Sequence, residues 1–422
     1  MPSLSLGMLP ALLALFVAVM LVGGIAGSYV AYYLSSFDIS RIFKAVLLKS
    51  SQSRFKKGLI VAQFAIATGL VACTAAVAMQ LRYSKTLDMG FDREKVLVLP
   101  LTGETAQKNY AVLQQQLRVL PSVQQVSAVS EIPYNGITNN GFVPEGDTKA
   151  LIIHQLDADE HLLEAFHIRM KAGSWFSASR PDLANGYVIN EALAKILGWQ
   201  TPIGKTISRD GVHPIIGVVS DFHFASLHDR VEPLIITNKP SGGMYSYLAI
   251  KYTGSDAANL VASVQQSWKN IFGATPFDYW FLDDAFNTVY KSEEQFRQVF
   301  MYFSVLSVVL SLAGVFGLVA LTVKQRVKEF GIRKVLGANT MSIILITVKE
   351  FAALVVLAAI IITPAAWYYI HSWLQNFAYH IGISPWLFVA CSAAVLVVTI
   401  CVISLQAAKA AMANPVKSLR ME

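Results

Sequence analysis

The sequence predicts a polytopic α-helical membrane protein with about five transmembrane helices and one large extracytoplasmic α+β domain. Three observations carry that prediction. Of 422 residues, 54% are hydrophobic, and mean hydropathy is positive. Five apolar runs, 9–34, 58–81, 299–323, 343–370 and 386–405, reach the ~20 residues that cross a bilayer. Between the second and third lie roughly two hundred residues of mixed composition, enough for one or two folded domains.

The charge follows the same plan. Net charge is +7, but the dense basic clusters all adjoin apolar runs: Arg41 to Lys57, then 324–334, then Lys409, Lys417 and Arg420. The middle region is near balance. Basicity therefore records topology under the positive-inside rule and calls for no nucleic-acid partner. Cys73, Cys391 and Cys401 all lie in apolar runs, so the large domain has no disulfide framework.

Taken in order, residues 1–57 hold the first span and a cytoplasmic linker. Met1 to Pro10 carries no positive charge while the basic cluster follows the span, the reverse of a secretory signal; the N-terminus is expected outside. Gly23 and Gly27 suit either close helix contact or a lipid-facing helix that tolerates glycine. Residues 28–44 lie on 404–420 without gaps, Ser28 on Ser404, Ala31 on Ala407, Arg41 on Lys417 and Lys44 on Arg420. Both segments leave a span toward the cytoplasm and read as the ends of two repeats.

The second span, 58–81, runs outward from Lys56 and Lys57, and its polar end, 80–85, reads as a helical stalk into the outer domain, 82–295. There, strands are expected at 96–101, 123–129, 151–156, 187–189, 213–219, 234–237, 247–252 and 277–282. Helices are expected at 106–120, from Ala158 or Asp159 to Phe166, at 191–197, 257–272 and 283–296. The best is 257–272, where Leu260, Val261, Val264, Trp268 and Ile271 share a face. Residues 133–146, rich in Pro, Asn and Gly, read as a loop. Residues 296–408 form a three-helix region, and 409–422 a cytoplasmic tail.

The connection 323–338 joins the third and fourth spans. Lys324, Arg326, Lys328, Arg333 and Lys334 mark it as cytoplasmic, and Val323, Val327 and Phe330 make one apolar helix face beside a basic one. Gly337 ends the pattern, and Asn339 or Thr340 caps the next helix. Such a helix lies on anionic lipid or docks into a groove on a cytoplasmic partner. Lys349 and Glu350 follow. One reading sets them inside a span, where charge costs about 2.5–3.5 kcal/mol. The favoured reading sets them at the cytoplasmic interface, with 343–348 an in-plane lead-in.

The run from Lys328 through Lys-Glu-Phe-Gly-Ile-Arg-Lys-Val-Leu-Gly to Ala338, with Glu350 beyond it, resembles the signature of FtsX-like permeases, the membrane subunits of MacB/LolC/FtsX-type ABC systems. The run from Asn414 to Arg420 is similar too, as are 188–191, 197–199 and 221–228 to the MacB-like outer domain. The resemblance implies a permease or mechanotransmission subunit in a bacterial inner membrane, with its C-terminus cytoplasmic. ATP would be bound and hydrolysed by a separate cytoplasmic ABC ATPase subunit, leaving this chain no cofactor and no catalysis. The implied coupling residues are Val327, Glu329, Phe330, Gly331, Arg333, Lys334 and Gly337, with Lys349 and Glu350 as intramembrane transmission candidates. Family members carry one span, an outer domain and three spans, once or twice over. This chain has one extra span before a single unit, which reads as the C-terminal half of a longer permease or as a split one. The implied partners are a second half or a homodimer, membrane lipids, and a periplasmic adaptor or outer-membrane channel.

Other motifs are weaker. Residues 198–206, ending Gly204-Lys205-Thr206, nearly spell a phosphate-binding loop, but the spacing is one residue long and Pro202 removes an amide. His161, Glu164 and His167 spread over too wide an arc for a helical metal site. His213, Asp221, His223 and His228 could converge after a strand. The competing function is a membrane-anchored sensor of extracytoplasmic ligands, which the want of a cytoplasmic signalling domain disfavours; a membrane enzyme ranks third.

Overall fold

The computed structural model of the chain describes residue 20, residues 49–240, 243–326, 329–330, 332–333 and 336–411. The first predicted span, apart from Met20, and the tail beyond residue 411 lie outside the described residues. Contacts divide the chain into two units, Met1–Gln63 and Phe64–Glu422. The first contributes the start of helix α1, Lys49–Thr86; the second holds the rest of α1, the outer domain and the remaining long helices.

Two strands of the outer domain sit next to the membrane connections. β1, Val96–Pro100, follows α1, and β11, Trp280–Phe281, comes just before the third span. With β2, Val123–Val129, and β10, Tyr247–Tyr252, they form an antiparallel sheet in the order β11-β1-β10-β2. Helices α2, Glu104–Lys108, and α3, Tyr110–Arg118, lie between β1 and β2, and α6, Ala257–Phe272, between β10 and β11. This is the βαββαβ order of a ferredoxin-like half. Strand alternation divides its side chains: Leu97 and Leu99 pack under Leu113, Leu117, Val264 and Trp268, while Val96 and Val98 face a second core.

Everything from β3 to β9 is inserted between β2 and β10. The strands are β3, Asn139–Pro144; β4, Leu151–Asp157; β5, Met170–Gly173; β6, Tyr187–Asn190; β7, Thr206–Ser208; β8, Val212–Val219; and β9, Leu234–Thr237. Their order is β5-β8-β6-β9-β4-β3-β7, and β7 also pairs with β8, so six strands close into a small barrel. Phe142, Ile153, Ile189, Ile207 and Ile235 fill it, with Leu193 from α5, Glu191–Ile196. The opposite side of the same strands, through Leu156, Val188, Val219 and Ile236, joins Val96 and Val98 in the second core.

The predicted strands at 123–129, 234–237 and 247–252 and the helix at 257–272 stand as read. Others differ for local reasons. The helix expected at 106–120 is broken at Asn109, whose side chain donates to Thr105 O at 2.9 Å. The loop expected at 133–146 contains β3, because that segment pairs with β4 on one side and β7 on the other. Helix α4 is only Leu162–Phe166: Ala158 is bridged to Val129, Asp159 takes the His161 N–H, and His167 turns left-handed at φ 51°. The helix expected at 283–296 is two, α7, Leu282–Val289, and α8, Lys291–Gln325, parted at Tyr290.

Four described helices are long and apolar enough to cross a membrane: Phe55–Thr86, Lys291–Gln325, Ile344–Leu374 and Pro385–Lys409. They belong to α1, α8, α9 (Thr340–Leu374) and α10 (Pro385–Ala411). The fifth predicted span lies outside the described residues. Ala72 and Ala76 of α1 let its backbone approach Ala366 and Ile370 of α9 and Phe388 and Cys391 of α10. Gly69 is tighter still, since a Cβ there would stand 2.9 Å from Ile362. The Thr74 and Ser304 hydroxyls join α1 to α8 at 2.9 Å, and Gln406 of α10 donates to Phe316 O of α8 at 2.8 Å.

Candidate coupling and transmission site

At one end of the bundle, α8 stops at Gln325 and the Arg326 N–H closes it onto Thr322 O and Val323 O. The Arg326 guanidinium reaches Glu350 of α9 at 3.2 Å. Lys349 is exposed while Glu350 is turned inward. The favoured in-plane lead-in over 343–348 is not there: α9 is one uninterrupted helix from Thr340, capped by Asn339 through the Met341 N–H.

Between these helices, residues 329–330 and 332–333 are helical. Ala338 N donates to Arg333 O at 2.9 Å while Gly337 sits at φ 91°. That is a six-to-one C-cap needing the left-handed residue glycine provides. Glu329 and Arg333 pair with each other at 2.8 Å, both half exposed. Phe330 is 8% exposed and turned into the chain, whereas Ile332 and Leu336 are 54% and 80% exposed. The apolar side chains open to a partner are therefore Ile332 and Leu336 rather than Phe330. Val327, Gly331 and Lys334 lie outside the described residues.

At the other end, the loop between β8 and β9, residues 220–233, meets the loop between α9 and α10, residues 375–384. Two backbone bonds join them, Ala378 N to His228 O at 3.1 Å and Tyr379 N to Leu227 O at 3.3 Å. The His228 ring stacks on Phe377 at 4.0 Å between centroids, and the His223 ring meets Tyr379 edge-on at 4.6 Å. His228 Nδ1 lies 2.9 Å from Asn376 O and Nε2 lies 3.0 Å from a carboxylate oxygen of Glu293, in the first turn of α8. The Leu227 N–H donates to the hydroxyl of Tyr290, the residue at which α7 and α8 part. From α1, buried Gln80 donates to Tyr379 O at 3.0 Å and accepts from Ile381 N at 2.9 Å. His154 of β4 holds the far end of the first loop, lying 2.9 Å from Ile137 O and 2.5 Å from Glu232.

Desolvation sets the electrostatics here. Burial pushes the His223 imidazole below its ordinary range, with Asp88 opposing. Burial pushes the Asp221 carboxyl up, against the Ala192 N–H that it accepts. A cleft of about 840 Å³ opens beside the junction, lined among others by Lys85, Asp88, Arg169, Asp221, His223 and Tyr379.

The other sequence candidates do not converge. His213 stacks on Tyr187 at 4.5 Å and bonds Asn185 O, away from His223 and His228. His161 and His167 stand at opposite ends of the five-residue α4, next to Glu160 and Asp92. Lys205 pairs with Glu145 at 2.8 Å and Thr206 opens strand β7 rather than a helix, so the near phosphate loop lacks its helix N-terminus. Among the described residues no group of three His, Cys, Asp or Glu side chains is placed to hold a metal. The sequence reading missed Gln80, Glu293 and the 376–381 loop. Phe377 and Tyr379 just past an apolar run are an interfacial aromatic signal, but nothing local pairs them with residues 221–228.

The architecture defines a class: a multi-pass membrane protein whose large outer domain is inserted between its spans. Residues 13–267, over half of the chain, match the MacB-like periplasmic core domain, and residues 301–415 match the FtsX-like permease C-terminal domain. The chain belongs to this family of FtsX/MacB-type ABC-transporter permeases. The macrolide export ATP-binding/permease protein MacB of Aggregatibacter actinomycetemcomitans is 23% identical over 217 residues, 49% of this chain and 34% of that protein. The chain thus spans about a third of that relative's length. Similar solved structures include the periplasmic region of MacB from Actinobacillus actinomycetemcomitans, 15% identical, covering 47% of this chain and 94% of that one at TM-score 0.35. The extracellular domain of the noncanonic ABC-type transporter YknZ from Gram-positive bacteria is 13% identical, covering 44% and 97% at TM-score 0.32.

Proposed function

We propose that this chain is the permease and mechanotransmission subunit of an inner-membrane ABC system. A separate cytoplasmic ATPase closes and opens on nucleotide, pushes the 323–338 connection, and thereby shifts the outer domain. The work is export, efflux or lipoprotein handling outside the membrane. Two coupling sites are needed for two ATPase subunits, so the chain acts with a second copy or a homologous half. Lys85 and the outer domain face outward, and the C-terminus the cytoplasm.

One observation supports this reading above the others. Helices α8 and α9 each run unbroken from the 326–340 connection to the outer loop junction, 35 residues apiece. At about 1.5 Å per residue each is a rod of roughly 50 Å. Arg326–Glu350 ties the rods at one end, and Glu293 and Asn376 meet on His228 at the other. A displacement entering at the connection has a stiff route to the outer domain.

The test is joint purification with the ATPase and its stimulation in nanodiscs. Ile332→Ala with Leu336→Ala removes two exposed apolar side chains, and each hot-spot anchor contributes about 2 kcal/mol or more. We expect loss of co-purification and of ATPase stimulation with span insertion intact. Unchanged binding and stimulation would refute the assignment. Ligand-dependent change with no ATPase bound would favour the sensor.

A further inference from the structure

We propose that the junction of the two outer loops is a proton-binding clasp, with His228 its proton site, so that docking of residues 376–381 on the outer domain takes up one proton. The geometry makes the argument. His228 Nδ1 faces Asn376 O at 2.9 Å, and Nε2 faces Glu293 at 3.0 Å. A backbone carbonyl only accepts, and an ionised carboxylate only accepts. A neutral imidazole has one N–H, so against these two partners one ring nitrogen would point a lone pair at an oxygen. Filling both bonds needs a second proton, on the imidazole or on Glu293. Either way the docked arrangement holds one proton more than a neutral imidazole beside a carboxylate.

The surroundings fix the ring in this place. The imidazole stacks on Phe377, and its two loop-to-loop neighbours, Leu227 O and His228 O, are held by backbone bonds that depend on the same docking. Glu293 also accepts from Ser292 at 2.9 Å, which keeps its other oxygen occupied. The remaining titratable and charged groups here are Tyr290 and Glu293 from the root of α8, and Asp229 and Arg230 in the same loop as His228. His380 lies on the opposing loop and His223 against Tyr379. Because the docked state binds the additional proton, docking is fully present at low pH and weakens as pH rises and that proton is lost. The joint between the outer domain and the last two spans is thus tightened by acid on the outer side, with no contribution needed from the ATPase.

Hydrogen exchange of the full chain in nanodiscs tests this, read as protection of residues 376–381 relative to the unstructured rate at each pH. Strand residues 248–250 serve as the internal measure of an intact fold. We expect protection of 376–381 to drop about tenfold between pH 5.5 and 8.5 while 248–250 holds, the loss of one charge-assisted bond. Glu293→Gln supplies an amide that donates to a neutral ring nitrogen, so docking should persist and its pH dependence vanish. Equal protection of wild type at both pH values would overturn the proposal, and so would an undiminished pH response in Glu293→Gln.

Discussion

Replacing Gln80 by leucine removes two bonds at once and nothing else of comparable size. Gln80 is fully buried, and its amide fits only one way round, since Tyr379 O needs a donor and Ile381 N an acceptor. Leucine keeps most of the packing of α1 and leaves that carbonyl and that N–H without partners. Each buried polar group so orphaned costs about 1–3 kcal/mol, and two together, with some relaxation toward water, about 2–4 kcal/mol. As an equilibrium that is about 30- to 1000-fold more frequent undocking of the 376–381 loop. Hydrogen exchange at Ile381 and Ala378 in the full chain would show it, with strand 248–250 unchanged. Gln80→Glu should lie between, since a carboxylate keeps the bond from Ile381 N and loses the donor to Tyr379 O. If Gln80→Leu left Ile381 as protected as wild type, within about threefold, the claim that α1 fastens this loop would be wrong.

Gly90 sits at φ 77° with Asp221 O 2.5 Å from where a Cβ would lie, so Gly90→Ala should lower denaturant stability of the chain by roughly 1–3 kcal/mol. Burial raises the Asp221 carboxyl above its unfolded value, so the folded state binds more protons and its penalty is relieved as pH falls through the raised value. Asp221→Asn should therefore be more heat-stable than wild type near neutrality, with the gap closing toward about pH 4; a constant gap in thermal melts would contradict this. Arg326 and Glu350 are both partly exposed, so a double-mutant cycle with Arg326→Met and Glu350→Gln should give a coupling of only about 0.5–1 kcal/mol in thermal unfolding. A cysteine at Ser179 should react with an impermeant reagent in spheroplasts and one at Ser342 should not; the reverse would overturn the proposed orientation.

The sequence was legible where one short window holds the whole cause. The face of Leu260, Val264 and Trp268 is written at helical spacing, and α6 is where the spacing puts it. Apolar length announced α8, α9 and α10 in the same way. Strands β3 and β7 were not legible, because neither has a pattern of its own; each exists through partners that arrive from elsewhere in the chain. At the candidate site, Gly337 and Asn339 declared their caps through residue type. The junction stayed hidden since His228 and Asn376 are distant in sequence, and no local rule relates them. Phe330 misled for a related reason: helical spacing gives an apolar face but does not say whether chain or partner covers it.

The barrel carries its own point of failure. A sheet closed into a ring has no free edge, and closure is only as firm as its shortest staple. Here that staple is β7, three residues long, lying against Pro144 of β3 on one side and Pro214 of β8 on the other. Neither proline brings an N–H, so this seam is laced by fewer bonds than the other joins of the ring. Glu145 reinforces it from outside, gripping Lys205 and the Thr206 N–H. When the ring yields, it yields there first. It then bares Ile207 and turns β3 and β8 into two adjacent sticky borders, the kind on which foreign strands and neighbouring molecules assemble.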